Sequence, residues 1–136
     1  ICRTAECAGV DAVIIPEKGG APMNSDAIKT SAGAMYNIII CKEKNLGHTV
    51  DFLQQSGVQV FSATEKAQKL YYDVDYTQPC AIVMGNEETG ISKEVLHHSD
   101  EKIKLPIEGK TESLNVSVAC GAILYEAMRQ KIREVL

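Results

Sequence analysis

Cys80-Ala-Ile-Val-Met84 runs directly into Gly85-Asn-Glu-Glu-Thr-Gly-Ile91, so a short apolar run meets a turn that brackets two carboxylates with glycines. The run has the length and branched content of a strand buried on both faces. Glycine after it permits positive φ and close approach of backbone to a ligand. Working outward, similar runs occur at Val58-Gln-Val-Phe61, Asn37-Ile-Ile-Ile-Cys41 and Asp11-Ala-Val-Ile-Ile-Pro16 upstream, and at Lys102-Ile-Lys-Leu-Pro106 downstream. Between them lie helical patterns. Asp26 caps a helix over 27–36. Asn45 or Thr49 opens another, with Leu46, Val50 and Leu53 on one face and Gly57 at its end. Shorter helices are expected over 65–71 and 92–98, and a long one over 114–136. Strands separated by helices predict an α/β fold with a mostly parallel sheet. With no repeat and no linker, residues 1–136 read as one domain.

The 136 residues are 45% apolar and 24% charged, an ordinary globular composition that excludes a disordered chain. Fourteen basic against eighteen acidic residues leave a net charge of −4. That balance provides no long-range grip on a polyanion. No apolar run reaches the roughly 18 residues of a membrane span, and no signal-peptide pattern opens the chain. A cytoplasmic protein without membrane attachment is therefore expected. Ile1 opens what reads as a helix without an initiator methionine, so the chain is expected to be a fragment.

Cys2, Cys7, Cys41, Cys80 and Cys120 are scattered, without a Cys-x-x-Cys pair or a Cys/His cluster. They read as reduced, mostly buried thiols, and no metal site is expected. The first strand leads into Pro16-Glu-Lys-Gly-Gly20 without the Gly-x-Gly-x-x-Gly spacing, and the second ends in Cys41-Lys-Glu43. No Walker A lysine is present. Dinucleotide dehydrogenases, ordinary Rossmann methyltransferases and P-loop NTPases are therefore disfavoured.

Three clusters remain to be explained. In open α/β sheets ligands bind at the carboxyl ends of strands, which is where the 85–90 turn falls. Taken alone, that turn serves equally well as a tight bend with solvated glutamates. Leu105-Pro-Ile-Glu-Gly-Lys-Thr-Glu-Ser-Leu-Asn-Val-Ser-Val118 places Ser113 and Asn115 around Leu114 at the start of the last helix. Both types are favoured helix caps, but one cap needs one residue. The third cluster, Ile1-Cys-Arg-Thr-Ala5, by itself reads as a surface helix carrying Arg3.

In order, these clusters resemble the SpoU (TrmH) family of RNA ribose 2′-O-methyltransferases, of the SPOUT class. Arg3-Thr-Ala5 with Gly9-Val-Asp-Ala-Val-Ile-Ile15 looks like the tail of the family's first motif. Gly85-Asn-Glu87 with Gly90 matches its second motif, Gly-x-Glu-x-x-Gly. Leu105-Pro-Ile107, Ser113-Leu-Asn-Val-Ser-Val118 and Glu126-Ala-Met-Arg129 match its third. The similarity spans essentially the whole chain. The family's first motif also has an asparagine a few residues before the arginine, and this chain starts after it.

The resemblance implies a C-terminal deep trefoil knot, S-adenosylmethionine as methyl donor without a metal, and a homodimer whose site draws on both subunits. By motif position, Gly85, Leu105 and Leu114 contact the cofactor, while Arg3, Glu87, Ser113 and Asn115 form the catalytic and substrate-orienting set. The terminal helix combines Val116, Val118, Ile123, Leu124 and Met128, more apolar surface than one small sheet needs. The implied partner is structured RNA. Bacterial 23S rRNA guanosine-2′-O-methyltransferases look closest, and tRNA enzymes come second. A non-catalytic RNA-binding or assembly module on the same fold is the rival from another class, and a flavodoxin-like nucleotide-binding protein is a weaker one.

Overall fold

Val60, Phe61 and Ser62 are wholly excluded from solvent, which makes their strand the centre of the larger sheet. A computed structural model describes residues 2–17, 38–86, 89–110 and 114–135. The chain forms two compact units, Ile1–Leu46 and Gly47–Leu136.

The first unit contains helix α1 (Cys2–Cys7) and strands β1 (Ala12–Pro16) and β2 (Ile39–Glu43), which pair in parallel with Ala12 opposite Ile39. Gly9, at φ +76°, ends α1. The Val10 N–H donates to the Ala5 carbonyl and the Gly9 N–H to the Glu6 carbonyl, so two of the last helical carbonyls are satisfied. The first strand is not buried on both faces as its apolar run suggests. Ile14 is 37% exposed, and β1 has one strand neighbour among the described residues. The helix expected over 27–36 lies outside the described residues.

In the second unit, helix α2 (Leu46–Gln55) precedes β3 (Gln59–Ala63), and Asn45 directly precedes that helix. Gly57 stops it as expected, at φ +88°, with the Val58 N–H on the Leu53 carbonyl and its own N–H on the Gln54 carbonyl. Then come β4 (Lys69–Leu70), β5 (Cys80–Val83), α3 (Lys93–His98), β6 (Glu101–Lys104) and α4 (Val116–Val135). The four strands lie in the order β4-β6-β3-β5, and every pairing is parallel. All four therefore finish at the same edge. Ser92 caps α3 by accepting the Val95 N–H at 3.3 Å, and His97 and His98 sit in its last turn, where a cation suits the helix dipole.

The helix expected over 65–71 does not form. Thr64 to Ala67 make a turn, and β4 pairs with β6. A helix of seven residues is marginal without tertiary support. The exposed edge of β6 instead offers partners: the Tyr71 N–H reaches the Lys104 carbonyl at 2.8 Å, and Lys69 bridges Glu101 at 2.7 Å.

The core joins Phe61, Val74, Tyr76, Ile103, Ile123 and Ala127, with Met84 and Leu105 against it. Phe61 and Tyr76 meet edge to face, their ring centres 5.1 Å apart. The Tyr76 hydroxyl donates to the Tyr71 carbonyl, and burial pushes its pKa well above the usual phenol range. From α4, Gln130 accepts the Tyr76 N–H at 2.8 Å and donates to the Val74 carbonyl at 3.0 Å. Cys7, Cys41, Cys80 and Cys120 are free, but only Cys120 is buried. The expectation of mostly buried thiols thus fails. The apolar strand runs that hold Cys41 and Cys80 end at or near sheet edges.

Candidate functional site

The common finishing edge of the second unit's strands opens into a cleft of about 940 Å³. Its walls are the segments that leave β3, β5 and β6, together with the start of α4. Such a position follows from parallel pairing, since every strand delivers its following loop to the same side.

The loop after β5 is closed by a small antiparallel bridge. The Gly90 N–H donates to the Asn86 carbonyl at 2.8 Å, and the Asn86 N–H to the Gly90 carbonyl at 3.4 Å. The two glycines have different reasons to be there. Gly90 has φ +70°, a conformation unfavourable to residues with a β-carbon. Gly85 has no room for one, because a β-carbon there would lie 2.9 Å from the Gly90 Cα and carbonyl carbon and 3.0 Å from the Ile91 nitrogen.

Leu105 and Ile107 follow β6 and line the cleft, as do Leu114, Asn115 and Val116 at the start of α4. Asn115 Oδ1 accepts the Ser117 N–H at 2.8 Å, and its carbonyl accepts the Ala119 N–H at 2.9 Å. Asn115 is therefore the cap of α4. Among the described residues its side-chain NH₂ makes no hydrogen bond.

Four of the expected site residues, Gly85, Leu105, Leu114 and Asn115, thus gather around one cleft. Glu87 and Ser113 lie outside the described residues. Arg3 is exposed on α1 of the first unit. Sequence reading missed Thr64, Glu65, Lys66 and Lys104, which also line the cleft. The signal was present: they follow or end strands, the same criterion that singled out Gly85.

Glu126 and Arg129 of the third motif do not line the cleft. Glu126 accepts from Arg129 Nε at 2.7 Å and Nη2 at 2.9 Å, and from Gln130 Nε2 at 2.8 Å. The Arg129 hydrogen bond, in first place, holds the Glu126 carboxyl below its ordinary range. The motif there builds the helix and its link to the core. Burial raises the Cys80 and Cys120 thiols, so neither is a thiolate nucleophile at neutral pH. Among the described residues no three His, Cys, Asp or Glu side chains gather as a metal site, and no helix is long and apolar enough to cross a membrane.

Residues 1–125 match the family model described as the SpoU rRNA Methylase family. The chain belongs to that family. A SpoU relative from Yersinia pestis, named 23S rRNA (guanosine-2′-O-)-methyltransferase RlmB, is 40% identical over 129 residues. The match takes in 95% of this chain and 52% of that protein, so the chain spans about half the length of the curated relatives it matches. The solved structure of the A. aeolicus TrmH/SpoU tRNA modifying enzyme superposes with a TM-score of 0.88 at 33% identity, covering 98% of this chain and 68% of that one. The SpoU methyltransferase AviRb from Streptomyces viridochromogenes, in complex with AdoMet, superposes with a TM-score of 0.90 at 26% identity, covering 98% and 55%. The parallel sheets flanked by helices are therefore the SpoU arrangement, and Gly85 and Gly90 of its second motif line one cleft with Leu105, Leu114 and Asn115 of its third.

Proposed function

We propose that residues 1–136 form the catalytic domain of an S-adenosylmethionine-dependent RNA ribose 2′-O-methyltransferase acting on guanosine in 23S rRNA. The observation that carries this reading is the cleft itself, whose walls are built from the second and third motifs of the family. The AdoMet complex of the AviRb neighbour and the RlmB name of the Yersinia pestis relative support the cofactor and the substrate.

The residues present suit such a cofactor. A cleft of about 940 Å³ is within the roughly 300–1,000 Å³ typical of small-molecule sites. Leu105, Ile107, Leu114 and Val116 offer an apolar wall for a purine, and Gly85 lets backbone approach it. When bound, S-adenosylmethionine supplies an electrophilic methyl group on a sulfonium. The protein's share of the work is then alignment of the ribose 2′-oxygen and removal of its proton. Arginine is a poor base, with a pKa above about 12, so Arg3 is assigned to the neighbouring phosphate, where its planar fork favours deprotonation of the hydroxyl. Glu87 is assigned a supporting part in the same set and not that of the base. Ser113 and the side-chain amide of Asn115 are assigned to orienting the ribose or bracing the cofactor loop.

The finer architecture belongs to the same proposal. The C-terminal segment is threaded as a deep trefoil knot, which the resemblance to the SpoU family implies. The protein works as a homodimer in the cytoplasm. Val118, Tyr125 and Ile132 support the dimer: seven residues apart on α4, they are 58%, 45% and 49% exposed. Ile123, expected to contribute to that face, is instead wholly buried in the core.

A second reading, a tRNA ribose methyltransferase, is favoured by the A. aeolicus neighbour. Mass spectrometry of RNA from a deletion strain separates the two. The expected result is loss of one 2′-O-methylguanosine from 23S rRNA with tRNA unchanged. Loss confined to tRNA establishes the second reading, and no loss in either overturns both.

A further inference from the structure

The corner of the cleft where β6 ends carries two lysines outside the family motifs. Ala63 is opposite Ile103, and the Thr64 N–H donates to the Ile103 carbonyl at 2.9 Å. The chain then passes from β3 to β4, which flank β6 on either side. Lys66 in this crossing and Lys104 at the end of β6 are thereby brought to one wall, although 38 positions separate them in sequence. Lys104 is held firmly, because its carbonyl accepts the Tyr71 N–H at 2.8 Å and the neighbouring Ile103 is wholly buried.

Neither ammonium is neutralised by a side-chain partner among the described residues. Lys69, only three positions beyond Lys66, is bound to Glu101 at 2.7 Å. Glu65 is the one carboxylate at this corner among the described residues, so two cations face one anion there in a chain of net charge −4. A polyanion gains nothing from that overall charge, and must find cations placed locally.

We infer that Lys66 and Lys104 form a phosphate-binding corner that holds the RNA backbone beside the target nucleotide at the mouth of the cleft. The inference rests on the proposed RNA methyltransferase activity and adds a substrate-positioning role to it. Lysine suits the task, since a compact ammonium on a flexible stem follows a backbone without demanding one geometry. Such contacts position RNA without reading its sequence.

The test is the salt dependence of binding. Affinity of the full-length protein for a 23S rRNA transcript is measured between about 50 and 200 mM salt, and removing one lysine–phosphate pair lowers the log–log slope by roughly one. Lys66→Gln and Lys104→Gln should each lower it by that amount and the double variant by roughly two. Lys104→Arg should keep the wild-type slope. Lys93→Gln, on α3 and outside the cleft lining, should leave it unchanged. Calorimetry with S-adenosylmethionine is run on all these variants beside the salt titration, and Lys93→Gln should give wild-type affinity. An unchanged slope in the double variant overturns the inference while leaving the methyltransferase reading intact. A loss of cofactor affinity with the slope unchanged also overturns it, and assigns the lysines to the cofactor's carboxylate. An equal drop for Lys93→Gln would show a diffuse charge effect and no corner. Absence of RNA binding by the wild-type protein overturns both readings.

Discussion

At the scale of the residue, Gly85 is the most constrained position of the cleft. A β-carbon there meets the Gly90 backbone at 2.9 Å, and backbone cannot step aside as a flexible side chain can. Gly85→Ala is expected to open the 85–90 loop and weaken S-adenosylmethionine by at least tenfold, roughly 1.4 kcal/mol. Calorimetry checks this, and wild-type affinity would show that the loop does not touch the cofactor. Arg3 tests the other half of the chemistry. Arg3→Ala in the full-length protein should leave cofactor affinity intact and slow methyl transfer by about a hundredfold, since removing a charged interaction from a transition state costs about 3 kcal/mol. Arg3→Lys should rescue little, as it keeps the charge but not the fork. Single-turnover methylation of ribosomal RNA decides the matter, and a normal rate for Arg3→Ala would make Arg3 a surface residue only.

At the scale of the element, α4 does two things at once. Its first turn, capped by Asn115, forms part of the cleft, and its middle holds the core through Ile123, Ala127 and Gln130. Glu126 ties these together by accepting from both Arg129 and Gln130. Its carboxyl is held below its ordinary value of 4.5, so its contribution to stability is fully present above that pH and is lost as pH falls through the lowered value. Glu126→Gln should therefore be less stable than wild type at neutral pH, with the difference shrinking as acid takes the pH down through the lowered value. Thermal melts of both proteins across that range check it. A constant difference would mean that the ion pair is not its source.

At the scale of the whole molecule, the exposed stripe of Val118, Tyr125 and Ile132 is the largest unexplained apolar feature of the long helix. Single exposed apolar residues are common, but a row of them with heptad spacing calls for a partner. Light scattering of the full-length protein at micromolar concentration should give a dimer, and Tyr125→Arg should give a folded monomer by circular dichroism. A wild-type monomer, or a Tyr125→Arg dimer, would mean that the stripe is not the interface. The charge of −4 matters at this scale too, because a chain without an overall positive charge can grip a polyanion only through cations placed locally, the role proposed for Lys66 and Lys104.

What the amino-acid sequence determined by itself is whatever depends on neighbours along the chain. The run Cys80-Ala-Ile-Val has the length and branched content of a strand, Gly57 stops its helix through a positive φ, and Ser92 caps the next through its own hydroxyl. The glycines of the 85–90 turn could be singled out for the same reason, whereas the assignment of Leu105 and Leu114 to a site comes from the resemblance of their segments to the SpoU third motif. Tertiary structure decided what depends on residues distant in sequence. The segment 65–71 has a helical pattern, yet the open edge of β6 claims Lys69 and Leu70 as a strand. Ile123 and Val118 look alike in the helix pattern, but packing against Phe61 and Ile103 buries one, and the other faces outward. Lys66, Lys104 and Gly85 reach one cleft only because β3, β5 and β6 are parallel and end at the same edge. Strand order is a matter of long-range pairing and burial, and no local spacing encodes it.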